Sequence, residues 1–353
     1  MVASNHLDIE LKAWQELLGA ALRLGLVARN VEISHNTRDI VLKKQDTRKP
    51  VALSIPPHLL IPLDSIDFKT RRVHPSEGDT QEHLAFKNAV LATILNDRRA
   101  GPFWSLSAGI SVVHLLLQEN NLPQLLPKLC EMPQEREAIE RKVISARAIG
   151  AMDGFPASIV PILDLANHLP GGLPFQRSKS NGTVFVSGIT LRDEISLRYG
   201  FFDPLMLADD YGFSDASPWA FSLAIRLRAS ERIQMSVYRD LASDFIPGRS
   251  VPVVAPVENM STARGKWDGT YKLDYLPINL GSGCNVTKDQ LTDANLELLG
   301  PSAPQFFDAM LHSNLKILDT AETLIAGIDV ANTARSLLIS AVQSQRRAIL
   351  AFS

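Results

Sequence analysis

Cysteine is scarce in this chain. The 353 residues hold two, Cys130 and Cys284, far apart in sequence. They form no Cys-x-x-Cys pair and no close-set framework, which excludes a zinc ribbon and a disulfide-stapled scaffold. The eight histidines show neither a His-Glu-x-x-His pairing nor ligand-like spacing with cysteine, so no protein-bound metal is expected. So few thiols suit a reducing compartment. Charge of one sign is also lacking: 36 Lys and Arg stand against 38 Asp and Glu, a formal net charge of −2. Neither nucleic acid nor an anionic membrane is therefore an expected partner. Basic pairs occur at Lys43-Lys44, Arg71-Arg72, Arg98-Arg99 and Arg346-Arg347, and such pairs read as solvated faces. Apolar runs stay well short of the roughly 18 residues that a membrane helix needs. The opening residues MVASNHLDIELKAW lack a basic segment followed by an apolar one, so they read as neither a secretory signal nor a transit peptide. The expected location is cytoplasmic or nuclear.

What the chain does have is a division into stretches of different period. Its length exceeds what one core usually serves, so two or three structural units are expected. Leu11, Trp14, Leu18 and Ala21-Leu22 recur at helical spacing over residues 7–24, with Gly25 placed to cap the end. From residue 26 to 62 short β-type runs follow, at Leu26-Val27, Val31–Ile33, Ile40–Leu42 and Val51–Ile55, the last stopped by Pro56-Pro57. Residues 79–150 are helix-rich, broken at Gly101-Pro102, Pro123, Pro127 and Pro133. Residues 155–215 return to strands and loops. Ile159–Leu163 reads as a buried strand, Pro170-Gly171-Gly172 and Asn181-Gly182 as turns, Val184–Val186 and Ile195–Leu197 as short strands. Between Phe221 and Tyr238 the pattern fits a strand pair or helix turns equally, and Pro247–Lys266 reads as a long loop. Two helices near 303–327 and 330–351 close the chain as an antiparallel pair.

The segment from Ile159 to Phe213 contains IVPILDLANHLPGG and GITLRDEISLRYGFFDPLMLADDYGF. It holds in order Val160-Pro161, Asp164, Asn167-His168, Asp193-Glu194, Tyr199-Gly200 and Tyr211-Gly212-Phe213. Upstream lie LGLVARNVEISHNTRDIVL and KKQDTRKPVALSIPPHLLIP, and Ser145–Ile149 falls between the two halves. This series resembles SET-domain lysine methyltransferases of the Rubisco large-subunit methyltransferase type. That branch has an Asn-His pair after an apolar strand, an acidic turn, a strand ending in Tyr-Gly, and a helical insert ending in an SRAF-like element. The likeness in motifs covers residues 10–215; beyond them only the general layout matches. The cysteine cluster that follows the SET domain of many histone methyltransferases is absent.

The resemblance implies an α+β chain. Its parts are an N-terminal helix (1–25), a first part of a β-rich SET fold (26–78), a helical insert (79–154), a second part (155–215), and a mainly helical substrate-binding-like domain (216–353). It implies methyl transfer from S-adenosylmethionine to a lysine of a protein substrate. Tyr199 is then the catalytic tyrosine, orienting the methyl group and the amine and stabilising developing charge. Asn167 and His168 hold the cofactor, and Arg147 pairs with its carboxylate, for which a guanidinium fork is suited. Arg38 and Asp39 line the cofactor turn, and Tyr211 and Phe213 the substrate channel. An amine nucleophile must be neutral to attack, and a narrow apolar channel lowers its pKa. No activated Ser or Cys is needed. In two places the chain departs from the pattern. Thr37-Arg38-Asp39 stands where the family has Gly-x-Gly, and Arg192 replaces the glycine of the acidic turn. Two other readings stay open: a SET fold turned to small-molecule biosynthetic chemistry, and a silent peptide-binding protein.

Overall fold

The structure is a computed structural model. It describes residues 2–36, 39–96, 135–151, 154–215, 303–328 and 332–351, together with 117, 119, 120, 122, 125, 126, 217, 219–228, 233–237, 255–256, 269–273 and 277–280. The chain is α+β and divides into two units. One comprises residues 1–104 and 132–200, the other 105–131 and 201–353. Arg98-Arg99, Cys130, Cys284 and most of 247–266 lie outside the described residues.

The first unit opens with helix α1 (Val2–Arg23). Trp14, Leu17 and Ala21 are its buried stripe, while Leu22 is exposed. Gly25 adopts φ +99°, its N–H bonds to Leu22 O at 3.2 Å, and Leu26 N reaches Ala21 O at 2.9 Å. This is the paired-bond helix end in which a left-handed glycine satisfies the last carbonyls. Strands β1 (Val27–Arg29), β2 (Glu32–His35), β3 (Ile40–Lys43) and β4 (Val51–Ile55) follow. In β4, Val51, Leu53 and Ile55 are buried alternately, the period of a strand with one face on a core. Short strands β5 (Ile61–Pro62), β6 (Ile66–Asp67) and β7 (Arg72–Val73) lead to helix α2 (Gln81–Asn96). Thr80 caps α2: its Oγ1 accepts from His83 N and its N–H donates to His83 Nδ1, a capping box with histidine in the usual Glu position. Helix α3 (Arg136–Ser145) and strands β8 (Ala148–Ile149), β9 (Ser158–Ile159), β10 (His168–Leu173), β11 (Phe175–Arg177) and β12 (Val184–Gly188) complete the unit.

The sheets join the two sequence halves. One antiparallel sheet has the order β1-β4-β12-β11, with Val184 opposite Ile55 and Gly188 opposite Val51. Another has the order β5-β9-β8. Strands from 26–62 therefore pair directly with strands from 148–188, β4 with β12 and β5 with β9, and one hydrophobic core runs from Trp14 through Ile55, Leu91 and Ile159 to Leu197. Burial of each such side chain contributes roughly 1.5–3 kcal/mol, which is what holds the halves together.

Several local expectations change. Ile159–Leu163 is not one strand: β9 ends at Ile159 and a 3₁₀ turn occupies Leu163–Leu165. Pro170-Gly171-Gly172 lies inside extended β10, because the glycines let that strand bend closely around its neighbour. Ile195–Leu197 forms no regular strand; isolated bridges at Glu194 and Leu197 hold the segment. Lys44 is no solvated charge. It is buried, and its Nζ donates to Thr47 O at 3.1 Å and Thr190 O at 2.8 Å. Arg71 pairs with buried Glu140.

The second unit contains α4 (Pro204–Tyr211), β13 (Trp219–Phe221), β14 (Ile225–Arg228), β15 (Ile233–Val237), β16 (Ala255–Pro256), β17 (Gly269–Leu273), β18 (Pro277–Leu280), α5 (Ala303–Ala326) and α6 (Asn332–Leu350). The stretch that read equally as strands or helix turns is the antiparallel pair β14–β15. Helices α5 and α6 are antiparallel: Gln343 donates to Glu322, and Arg346 pairs with Asp319. Asp203 caps α4 through Met206 N and accepts from Phe221 N and Gln345 Nε2. Asn314, fully buried on the apolar face of α5, accepts from Leu223 N and donates to Ser222 Oγ and Met310 O.

Candidate active site

The candidate site lies in the first unit, where the segment after β9 meets the segment after β12. A sharp reversal starts it. Leu163 N bonds to Pro161 O at 2.8 Å around Ile162, whose φ is +69° and ψ −48°. A γ-turn centred on a β-branched residue is strained, and such strain persists only where the surroundings enforce it. Ile162 is fully buried, and the turn aims the chain through Asp164 towards Asn167.

Residues 194–198 run between β3 and β10. On the β3 side, Lys44 N donates to Asp193 O at 2.9 Å and Ile195 N to Leu42 O at 2.8 Å. On the β10 side, Leu197 N donates to Asn167 O, Leu173 N to Ser196 O and Arg198 N to Leu173 O, at 2.9–3.0 Å. Both His168 and Leu173 bridge to Leu197, so β10 curls around that residue. At the closest approach stands Gly172: a Cβ there would lie 2.6 Å from Leu197 C and 2.8 Å from Ser196 O.

This crossing brings Asn167, His168 and Tyr199 together. Tyr199 N donates to His168 Nδ1 at 3.2 Å, and the two rings lie 5.2 Å apart. A backbone N–H can only donate, so Nδ1 carries the lone pair and a neutral His168 holds its proton on Nε2. The Tyr199 hydroxyl donates to Ala166 O at 2.7 Å. With its proton so used, the phenol oxygen keeps its lone pairs to accept from a neighbouring donor. Asn167 Nδ2 donates to Glu194 Oε1 at 2.8 Å.

The remaining predicted residues divide. Arg147, next to β8, donates through Nη1 to Asp164 Oδ2 at 2.5 Å, with side chains 12% and 3% exposed. The guanidinium assigned to a cofactor carboxylate thus already holds an internal one. Asp39 sits in the β2–β3 hairpin: its N–H bonds to Asn36 Oδ1 at 2.7 Å and its carbonyl accepts from Asn36 N at 2.8 Å. Arg38 lies outside the described residues. Tyr211 and Phe213 belong to the second unit, at the end of α4. There the Tyr211 ring is 5.3 Å from Phe202 and 6.1 Å from Phe213.

Sequence reasoning missed Asn36, Asp164 and Glu194 as parts of this cluster. Asp164 and Glu194 stood in the motif, but nothing in a motif tells which side chains they face. Among the described residues no group of three or more His, Cys, Asp or Glu could hold a metal ion, and no helix is long and apolar enough to cross a membrane.

No protein-family model matches the chain, and no curated protein matches it. Solved structures do. The SET domain of LSMT bound to lysine and AdoHcy is 15% identical, with 97% of this chain and 90% of that one covered and a TM-score of 0.42. Rubisco LSMT bound to AdoMet is 15% identical over 96% and 90% of the two chains, with a TM-score of 0.43. For Rubisco LSMT bound to sinefungin and monomethyllysine the values are 14%, 96%, 90% and 0.41. These SET-domain structures are what the chain is similar to.

Proposed function

We propose that this chain is an S-adenosylmethionine-dependent methyltransferase that acts on a lysine side chain of a protein substrate. The observation that carries the reading is the meeting of Tyr199 with Asn167-His168 on a crossing built from both motif stretches. The motif order supports the same chemistry. The donor set suits the sulfonium cofactor. Glu194 holds the Asn167 amide nitrogen, which leaves Oδ1 as an acceptor for a ligand N–H. Asn167 and His168 would hold the cofactor, with Arg147, Arg38 and Asp39 along the same pocket. Bound there, S-adenosylmethionine supplies an activated methyl group. The chain's own contribution is alignment. Tyr199, its proton committed to Ala166, offers lone pairs that orient the attacking amine and stabilise positive charge as it moves between sulfur and nitrogen. A dry apolar channel would favour the neutral form of the lysine.

A second reading, a SET fold turned to small-molecule chemistry, is favoured by two observations: Arg147 is engaged by Asp164, and Thr37-Arg38-Asp39 lacks both family glycines. Calorimetric titration of S-adenosylmethionine into the whole chain decides between the two. Micromolar binding that Asn167→Ala abolishes is the expected result; no binding favours the second reading or a silent peptide-binding protein. Transfer to protein lysines is then followed by S-adenosylhomocysteine release. The scarcity of cysteine supports a cytoplasmic or nuclear setting.

A further inference from the structure

The carboxylate of Glu194 receives two side-chain amides from distant parts of the chain. Asn167 Nδ2 donates to Oε1 at 2.8 Å, and Asn36 Nδ2 donates to Oε2 at 3.4 Å. Asn36 is 158 residues away in sequence and anchors the β2–β3 hairpin, with its own Oδ1 engaged by Asp39 N at 2.7 Å. We infer that Glu194 is a positioning residue: it ties the glycine-free hairpin at Asn36–Asp39 to Asn167 and fixes which face of the Asn167 amide is offered to a ligand.

Three features carry this. First, the backbone around Glu194 is pinned on both sides, by Asp193 O with Lys44 N and by Ile195 N with Leu42 O. Buried Lys44 also holds the preceding loop at Thr190 O. Glu194 therefore starts from a rigid platform, which limits the entropy that ordering its side chain costs. Second, an ionised carboxylate only accepts. Both asparagines must turn their nitrogens towards it, so Asn167 Oδ1 faces the other way, and a charge-assisted bond enforces that choice better than a neutral one. Third, glycine would leave the turn free to take many conformations. Here the turn has none at Thr37, Arg38 or Asp39, and a side chain, Asn36, holds it instead.

The inference rests on the methyltransferase reading for its ligand, but the coupling itself is a property of the unliganded chain. Two measurements on the full chain separate them. In the first, S-adenosylmethionine is titrated calorimetrically into wild type, Asn36→Ala, Glu194→Ala and the double variant. Glu194→Ala should weaken binding about tenfold, by the arithmetic of one lost charge-assisted contact. Asn36→Ala should cost severalfold by itself and clearly less in the Glu194→Ala background, because the part of its effect that passes through Glu194 is then already lost. Glu194→Gln, which keeps one acceptor and loses the other, should fall between. Independent, multiplying losses, or wild-type affinity in Glu194→Ala, overturn the inference while leaving the reading intact. In the second measurement, amide hydrogen exchange is followed without cofactor. Exchange of the Asp39 and Leu197 amides should speed up in Glu194→Ala and lie between that and wild type in Glu194→Gln. Unchanged exchange in Glu194→Ala overturns the coupling. If wild type takes up no S-adenosylmethionine, the methyltransferase reading fails, and the exchange experiment alone then decides whether Glu194 joins the two segments.

Discussion

The Tyr199 hydroxyl donates to the carbonyl of Ala166 at 2.7 Å, and the peptide that begins at that carbonyl leads into Asn167. The phenol is thus held by the same short segment that presents the asparagine. Its position relative to Asn167 depends on local geometry, not on a side-chain rotamer alone.

Tyr199→Phe removes that bond and the phenol lone pairs but keeps the ring against His168. On the methyltransferase reading, turnover should fall about a hundredfold or more, as for other lost charge-stabilising groups. Cofactor affinity should change by less than about threefold, and stability by about 1 kcal/mol. Steady-state kinetics beside calorimetry checks this. Parallel loss of turnover and affinity would make the tyrosine structural.

Gly172 and Gly171 form an internal comparison. A Cβ at Gly172 would press on the backbone of Ser196 and Leu197 at 2.6–2.9 Å, whereas one at Gly171 would meet nothing within 4 Å. Backbone cannot move aside as a flexible side chain can. Gly172→Ala should therefore cost about 2 kcal/mol or more, and Gly171→Ala should lie within about 0.5 kcal/mol of wild type. Denaturant midpoints of the two variants provide the test.

Acid should weaken the first unit through Asp79. Its carboxylate is 3% exposed and 2.6 Å from the Lys87 ammonium. Burial raises its pKa, but the hydrogen bonds from Lys87 and Ser76 N outweigh that and leave it below the ordinary value. Glu140 behaves alike: burial is outweighed by hydrogen bonds from Arg71 and Arg136. A folded pKa below the unfolded one gives stability that is present above the ordinary carboxylate range and lost as pH falls through the depressed folded value. Asp79→Asn should cost about 3 kcal/mol near neutrality by leaving Lys87 buried without its counter-charge. It should also flatten the acid limb, with Glu140 contributing to the slope that remains. Urea unfolding at a series of pH values measures both effects.

In the second unit Asp203 is fully buried and accepts from Met206 N, Phe221 N and Gln345 Nε2. Asp203→Ala removes a helix cap and orphans two further donors. The expected loss is about 3 kcal/mol or more. Asp203→Asn keeps an acceptor for the cap and should cost less. Thermal midpoints, with exchange at the Met206 amide, distinguish the two.

Much of the local architecture was legible in the residues. The apolar recurrence from Leu11 to Ala21 marked α1, and Gly25 marked its end, because helix period and a left-handed cap are local demands. The alternation in Val51–Ile55 marked β4 for the same reason. The helices near 303–327 and 330–351 were visible in their apolar stripes. Less local features misled. Pro170-Gly171-Gly172 carries the signal of a turn, yet its glycines serve a close strand crossing against Leu197, a neighbour no local pattern names. Lys43-Lys44 looked like a solvated pair until folding placed two carbonyls around Lys44. Gln345 falls within the helix read near 330–351, and nothing in the sequence shows that Asp203 would need its amide.

The order of residue types along the chain by itself determined the helix and strand periods, the caps and the succession Asp164, Asn167-His168, Asp193-Glu194, Tyr199. Those depend on backbone geometry within a few residues. Only the tertiary structure decided who meets whom: Arg147 with Asp164, Glu194 with both Asn36 and Asn167, Tyr199 with the carbonyl of Ala166. Such pairings follow from strand register and from the burial that brings β3, β10 and β12 around one core, and both are set by contacts across a hundred residues or more, beyond the reach of any local period.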